Sequence, residues 1–191
     1  MTSARPLLAA AALVMLTTGC SGLRSLVTDG VADGITVLAK ADGWSPSLEG
    51  ERFSGYFGVL EIAYDRDAAR AAWDATVPAA LPERSGDPRE AGRYGSLDDV
   101  DLDDQLLVVF SGGQSGGCPG WLRDVSVEGG TVHLEEGRYV PGNGCPDDYN
   151  AYRVVLAVDR DELPAADALP TEDVLFDGDP LSGLVTTWPA R

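Results

Sequence analysis

A chain of 191 residues is long enough for one domain with a tail and short for two. Its 44% hydrophobic and 24% charged residues are ordinary for a chain that buries a core. The 31 acidic against 14 basic residues, a net charge of −17, argue against nucleic acid and against electrostatic docking on anionic lipid, because both need a concentrated basic surface. Thirteen of the basic residues are Arg and one, Lys40, is Lys. Beside abundant Ala, Gly, Asp and Val, that bias reads as the codon usage of a GC-rich genome and carries no chemistry.

Residues 1–20 read MTSARPLLAAAALVMLTTGC. Arg5 and the terminal amine form a short positive region, residues 7–16 are wholly apolar, and Thr17, Thr18 and Gly19 lead to Cys20. An apolar run of this length falls short of the roughly 20 residues that span a bilayer but suits the apolar region of a secretory signal. The ending Leu16-Thr17-Thr18-Gly19-Cys20 resembles the lipobox of bacterial lipoproteins, with Leu16 one place earlier than the family's usual Leu. The resemblance implies cleavage after Gly19 and acylation of Cys20, so residues 1–19 are expected to be a signal peptide. The expected localisation is export, with a lipid anchor in the cell membrane and the domain facing outward. Cysteine arithmetic agrees, since three Cys leave one over if the other two pair.

Residues 20–33 carry Gly, Ser and Asp without periodicity and are expected to be a tether. The rest, 34–191, reads as a single domain. β-branched residues predict a strand over 34–39, and the nearly continuous apolar run 55–64 predicts a strand covered on both faces. Asp65 is placed to cap a helix over 66–76, with Ala69, Ala72, Trp73 and Val77 at helical spacing and Pro78 as its stop. Residues 79–96 mix Pro, Gly and charge and predict a surface loop.

The second half is β-rich. LLVVF at 106–110 predicts a core strand; 121–127 and 131–136 flank Glu128-Gly129-Gly130, a tight hairpin signal. YRVVLAV at 152–158 predicts a strand with Tyr152, Val154, Leu156 and Val158 on one face, and 174–176 and 183–188 predict short edge strands. Strands, one helix and then strands with short links indicate α+β, a mainly antiparallel sheet or sandwich with one short helix. A core strand entered from Asp-Leu-Asp, a Gly-rich turn, a hairpin and a final strand, over 101–158, resembles the PrcB-like C-terminal domains of bacterial envelope proteins. That resemblance implies association with a protease complex; the Cys pair and the Pro after each Cys are departures from it.

Cys118 and Cys145 each precede Pro inside Gly-rich loops bounding the hairpin. In an oxidising exported setting the default is a disulfide stapling the two loops, worth roughly 3 kcal/mol in the chain-entropy account. A redox or metal-binding thiol pair is the rival, but Cys-x-x-Cys spacing is missing and a zinc site would need further ligands in a chain with one His.

Motifs for catalysis are weak. Gly113-Gln114-Ser115-Gly116-Gly117 fits the nucleophile-elbow pattern after a strand, yet Gly116-Gly117-Cys118-Pro119-Gly120 follows where the elbow needs a helix. The order Ser115, Asp124, His133 fits a hydrolase, but Asp124 to His133 is a hairpin and alternation puts His133 on its polar face. Asp99-Val100-Asp101-Leu102-Asp103 opens like a calcium loop but has Asp104 where Gly belongs and Phe110 where Glu belongs. Asp147-Asp148 and Asp177-Gly178-Asp179 read as turns. No cofactor or metal site is expected.

Trp121, Tyr139, Tyr149 and Tyr152 cluster around the stapled loops. They are read either as packing or as a recognition surface, and as the latter they are the candidate binding residues. The leading expectation is therefore a non-enzymatic, membrane-anchored binding or envelope-maintenance module whose partner is an envelope protein or a cell-wall component. The alternative is a small secreted hydrolase using Ser115 and His133, or a calcium-dependent domain using the acids at 99–103.

Overall fold

Runs that are apolar at every position need cover on both faces, and the computed structural model, which describes residues 30–42, 58–148, 150–170, 174–180 and 184–189, supplies it in three layers. The strands are β1 (Ile35–Asp42), β2 (Val59–Ala63), β3 (Gly92–Arg93), β4 (Gln105–Gln114), β5 (Gly120–Glu128), β6 (Thr131–Arg138), β7 (Asn150–Asp159), β8 (Val174–Phe176), β9 (Asp179–Pro180) and β10 (Leu184–Thr187). One sheet has the order β10-β2-β4-β7-β1-β3 and the other β5-β6-β8-β9. All pairings are antiparallel except β10 with β2 and β6 with β8. This is the α+β, mainly antiparallel arrangement expected, with helix α1 (Arg66–Thr76) as the third layer.

Alternation along β4 and β7 sorts the core. Leu106, Val108 and Phe110 with Tyr152, Val154, Leu156 and Val158 face the second sheet, where Leu122, Val125, Val132 and Leu134 meet them. Leu107, Val109, Val155 and Ala157 face the other way, against Ala69 and Ala72 of α1 and Val100 and Leu102 of the following loop. Each large apolar side chain so buried contributes about 1.5–3 kcal/mol. The helix starts where expected, with Asp65 accepting the Ala68 amide at 2.7 Å.

The expected hairpin is β5–β6, whose turn uses Gly129 and Gly130 at φ +60 and +88. Two stretches read as loop contain strand, and β1 and β6 run on to Asp42 and Arg138, past their expected ends. β4 runs on through Ser111-Gly112-Gly113-Gln114, read above as loop, because these residues pair in register with Asn150 to Arg153 of β7. The loop 79–96 contains β3, held on β1 by Ala39 and Lys40.

One irregularity positions everything that follows. β1 carries a bulge at Leu38: Val37 pairs with Leu156 but Ala39 with Val155, so one residue is extra. The bulge shifts the phase of the strand and turns Lys40 toward the space between the sheets, not toward the helix. The Leu38 carbonyl, no longer used in the ladder, accepts the amides of Tyr94 at 2.8 Å and Gly95 at 3.1 Å, tying the 84–95 loop to β1. Among the described residues no helix is long and apolar enough to cross a membrane.

Candidate functional site

Three loops converge at the end of the sandwich opposite the β5–β6 turn. The β4–β5 connection and the β6–β7 loop are joined by the Cys118–Cys145 disulfide, with Cα atoms 5.6 Å apart. Cys118 is buried and Cys145 exposed. Around it Ser115 Oγ donates to the Asp148 carboxylate and shares a second hydrogen bond with the Pro146 carbonyl, both at 2.8 Å, and the Gly116 amide donates to Asp148 at 3.0 Å. These donors hold the Asp148 carboxyl below its ordinary pKa.

Beneath the disulfide lies a buried polar network. Lys40, fully enclosed, donates from Nζ to Gln114 Oε1 and to the Arg89 carbonyl, each at 3.0 Å, and lies 3.5 Å from Asp42 and 5.3 Å above the Tyr152 ring. Three N–H donors thus meet three oxygen acceptors. Gln114 uses the same Oε1 to accept the Gly120 amide at 3.0 Å and donates from Nε2 to Asp42 at 2.9 Å. The Tyr152 hydroxyl donates to Glu136 Oε1 at 2.9 Å, and Glu136 pairs with the Arg138 guanidinium, whose Nε lies 3.0 Å away. Gly120 leaves the room Glu136 occupies, since a Cβ there would overlap its carboxylate.

Burial sets the electrostatics. It lowers the Lys40 pKa, with Asp42 opposing, and raises the Glu136 pKa, with Arg138 opposing. Tyr152 is pushed well above its ordinary value, first by burial and then by the Glu136 charge. On the helix side of the same sheet Arg153 bonds Ser111 at 3.1 Å and Thr76 at 3.2 Å and lies 3.7 Å from Glu61. Burial lowers the Arg153 pKa to about 10.

Where the network reaches the surface, the 84–94 loop forms a cleft of about 400 Å³ lined by Arg84, Ser85, Asp87, Arg89, Glu90 and Tyr94. Its charges are matched within it: Arg84 lies 2.9 Å from Glu90, and Arg89 lies 2.6 Å from Asp87. The Arg89 guanidinium lies 5.0 Å above the Tyr139 ring, so the β6–β7 loop forms one side of the same end.

The residues singled out in sequence meet different fates. Trp121 and Tyr152 are 1% and 0% exposed, because strand alternation turns them inward; both are core residues, Tyr152 also bonded to Glu136, and neither is a surface anchor. Tyr139 is half-buried beneath Arg89. Tyr149, Gly19 and Cys20 lie outside the described residues. Ser115 is bonded to Asp148 and Pro146, whereas His133 sits on β6 opposite Ser126 of β5 and beside Leu175 of β8, so the Ser115–His133 pairing that the hydrolase alternative needs is not formed. Asp99 accepts the Ser96 amide at 2.9 Å and Asp101 the Asp103 amide at 3.1 Å, which makes the 99–103 acids turn formers. Among the described residues no group of three or more His, Cys, Asp or Glu is arranged to hold a metal ion.

Lys40, Gln114, Glu136 and Arg89 went unrecognised in the sequence. A signal existed for two of them. Lys40 is the single Lys and interrupts an apolar strand, and Glu136 continues the inward phase of Val132 and Leu134 at every second residue. Comparison with family models, curated proteins and solved structures gives no match.

Proposed function

We propose that the chain is an exported lipoprotein, cleaved after Gly19, acylated at Cys20 and held at the outer face of the cell membrane. There the domain acts as a non-enzymatic binding or envelope-maintenance module. The observation that carries the binding reading is the construction of one end of the sandwich. Three loops are fixed there by a disulfide, by a buried Lys40 reaching the Arg89 backbone and by an Arg89–Tyr139 contact. A rigid loop surface lowers the ordering cost of association. At the opposite end lies the two-residue β5–β6 turn, with the loops around Asp104 and Arg160 tied together by hydrogen bonds. The resemblance of 101–158 to PrcB-like domains makes an envelope protein complex the first partner to seek, ahead of a cell-wall component.

The test is crosslinking in cells from a photoreactive residue at position 139, with the same group at exposed Glu128 on the opposite turn as control. Adducts specific to position 139 are expected. Equal adducts from both positions, or none from position 139, would overturn the assignment of this end as the binding end.

A further inference from the structure

We propose that Lys40 and Gln114 become joined by an intramolecular isopeptide bond, formed by attack of the Lys40 amine on the Gln114 side-chain carbonyl with release of ammonia. The bond would tie β1 to β4 across β7, whatever the stapled end binds. Lys40 Nζ lies 3.0 Å from Gln114 Oε1, and a C=O bond of about 1.23 Å puts Cδ within about 4.2 Å of the amine. Reacting atoms need to come to about 3–3.5 Å, which rotation of the Gln114 side chain supplies. Lys40 is 0% and Gln114 7% exposed, so bulk water is kept from the amine and from the carbonyl.

The neighbours of this pair have the roles such a transfer needs. Burial lowers the Lys40 pKa and so favours the neutral, nucleophilic amine. Asp42 Oδ1 lies 3.5 Å from Lys40 Nζ and accepts from Gln114 Nε2 at 2.9 Å, so one carboxylate touches both the attacking and the leaving nitrogen. The Gly120 amide donates to Gln114 Oε1 at 3.0 Å, where negative charge develops in the tetrahedral intermediate. The Nζ lone pair forms the new bond to Cδ while the carbonyl π electrons move to Oε1. Their return breaks the Cδ–Nε2 bond. Nζ gives up two protons through Asp42: one completes the leaving ammonia, and the other follows it to solvent as ammonium past the 41% exposed Asp42 side chain. Nothing is oxidised or reduced. The product replaces a buried ammonium, costly to desolvate, by a neutral amide. Its N–H still faces the Arg89 carbonyl and its C=O the Gly120 amide, the partners that the two side chains already have.

The experiment purifies the full chain, reduces and alkylates it, digests it with trypsin and reads the peptides by tandem mass spectrometry. The expected product is a branched peptide in which the segments holding Lys40 and Gln114 weigh one ammonia, about 17 Da, less than their sum, as this acyl transfer requires. Cleavage after Lys40 should be lost, because an acylated Lys is not a trypsin site. Lys40→Arg keeps the charge without the amine and should give linear peptides only. Asp42→Asn cannot carry a proton; in newly synthesised chain with native near-ultraviolet circular dichroism, it should slow branching by about a hundredfold or more. Linear peptides cut after Lys40 from the folded wild type overturn the inference, and so does a branch from Lys40 to any residue other than Gln114. Equal branching rates in wild type and Asp42→Asn overturn the role given to Asp42.

Discussion

Lys40 enters the space between the sheets because β1 carries one extra residue at Leu38, and its ammonium then donates to the half-buried Arg89 carbonyl of the 84–94 loop. Lys40→Met keeps most of the apolar stem and leaves the Arg89 carbonyl unpaired. It is expected to lower stability by about 1–3 kcal/mol in denaturant unfolding and to speed amide exchange across residues 89–95. Unchanged exchange there would show that Lys40 does not hold the loop. Glu136 gives a pH signature of defined sign. Its folded pKa lies above the ordinary 4.5, so between the two values the folded protein binds a proton that the unfolded chain has released. Stability from this group is therefore largest below pH 4.5 and falls as pH rises through the window up to the folded pKa. Glu136→Gln removes that slope. As pH rises through the window the wild-type unfolding midpoint should fall steadily relative to that of the variant, and above it the two curves should run parallel. Parallel curves throughout would place the Glu136 pKa at its ordinary value.

At the scale of elements, the disulfide spans a separation of 27 residues and encloses the whole β5–β6 hairpin between its ends. Replacing both cysteines, Cys118→Ala with Cys145→Ala, is expected to lower stability by about 3–4 kcal/mol and the melting temperature by roughly 6–15 °C in calorimetry. A shift under about 2 °C would mean that the non-covalent contacts alone fix the two loops. This pair was legible from sequence because arithmetic and compartment suffice to propose it, and the helix was legible because Asp65, the 3.6 spacing and Pro78 are all local signals. The inward faces of β6 and β7 were legible because alternation is local too. Lys40 was not: a bulge depends on what the neighbouring strand offers, and one extra residue reverses the face of every side chain beyond it. The edge strand over 183–188 was legible as β10, but the same limit hid its partner, since it pairs in parallel with β2, more than a hundred residues earlier. It also hid the true length of β4, where Gly112 and Gly113 carry loop composition but lie in register with Ala151 and Tyr152. Burial of Trp121 and Tyr152 follows from strand phase at β5 and β7, which aromatic clustering along the chain does not encode.

The whole molecule combines a net charge of −17 with a sequence that points to the membrane surface. These conflict unless the attachment is covalent. An acidic domain is repelled by anionic headgroups, by an amount that falls within a Debye length of about 10 Å at 0.1 M salt, so no favourable ionic term is available to hold it there. In the anchor proposed at Cys20, acyl chains would supply the attachment instead, at about 0.8 kcal/mol for each buried CH₂, with two or more chains making it stable. Raising the salt should then leave membrane binding unchanged, or strengthen it slightly as repulsion is screened, where a basic peripheral protein would wash off. The expected outcome is that wild type takes up a radiolabelled fatty acid, stays with membranes through a high-salt wash and moves to the soluble fraction only in detergent. Cys20→Ala should lose the label and leave the membrane fraction at any ionic strength. A Cys20→Ala variant that remains labelled and membrane-bound would refute the anchor, and wild-type release by salt would mean that ionic contacts hold the domain in place despite its charge.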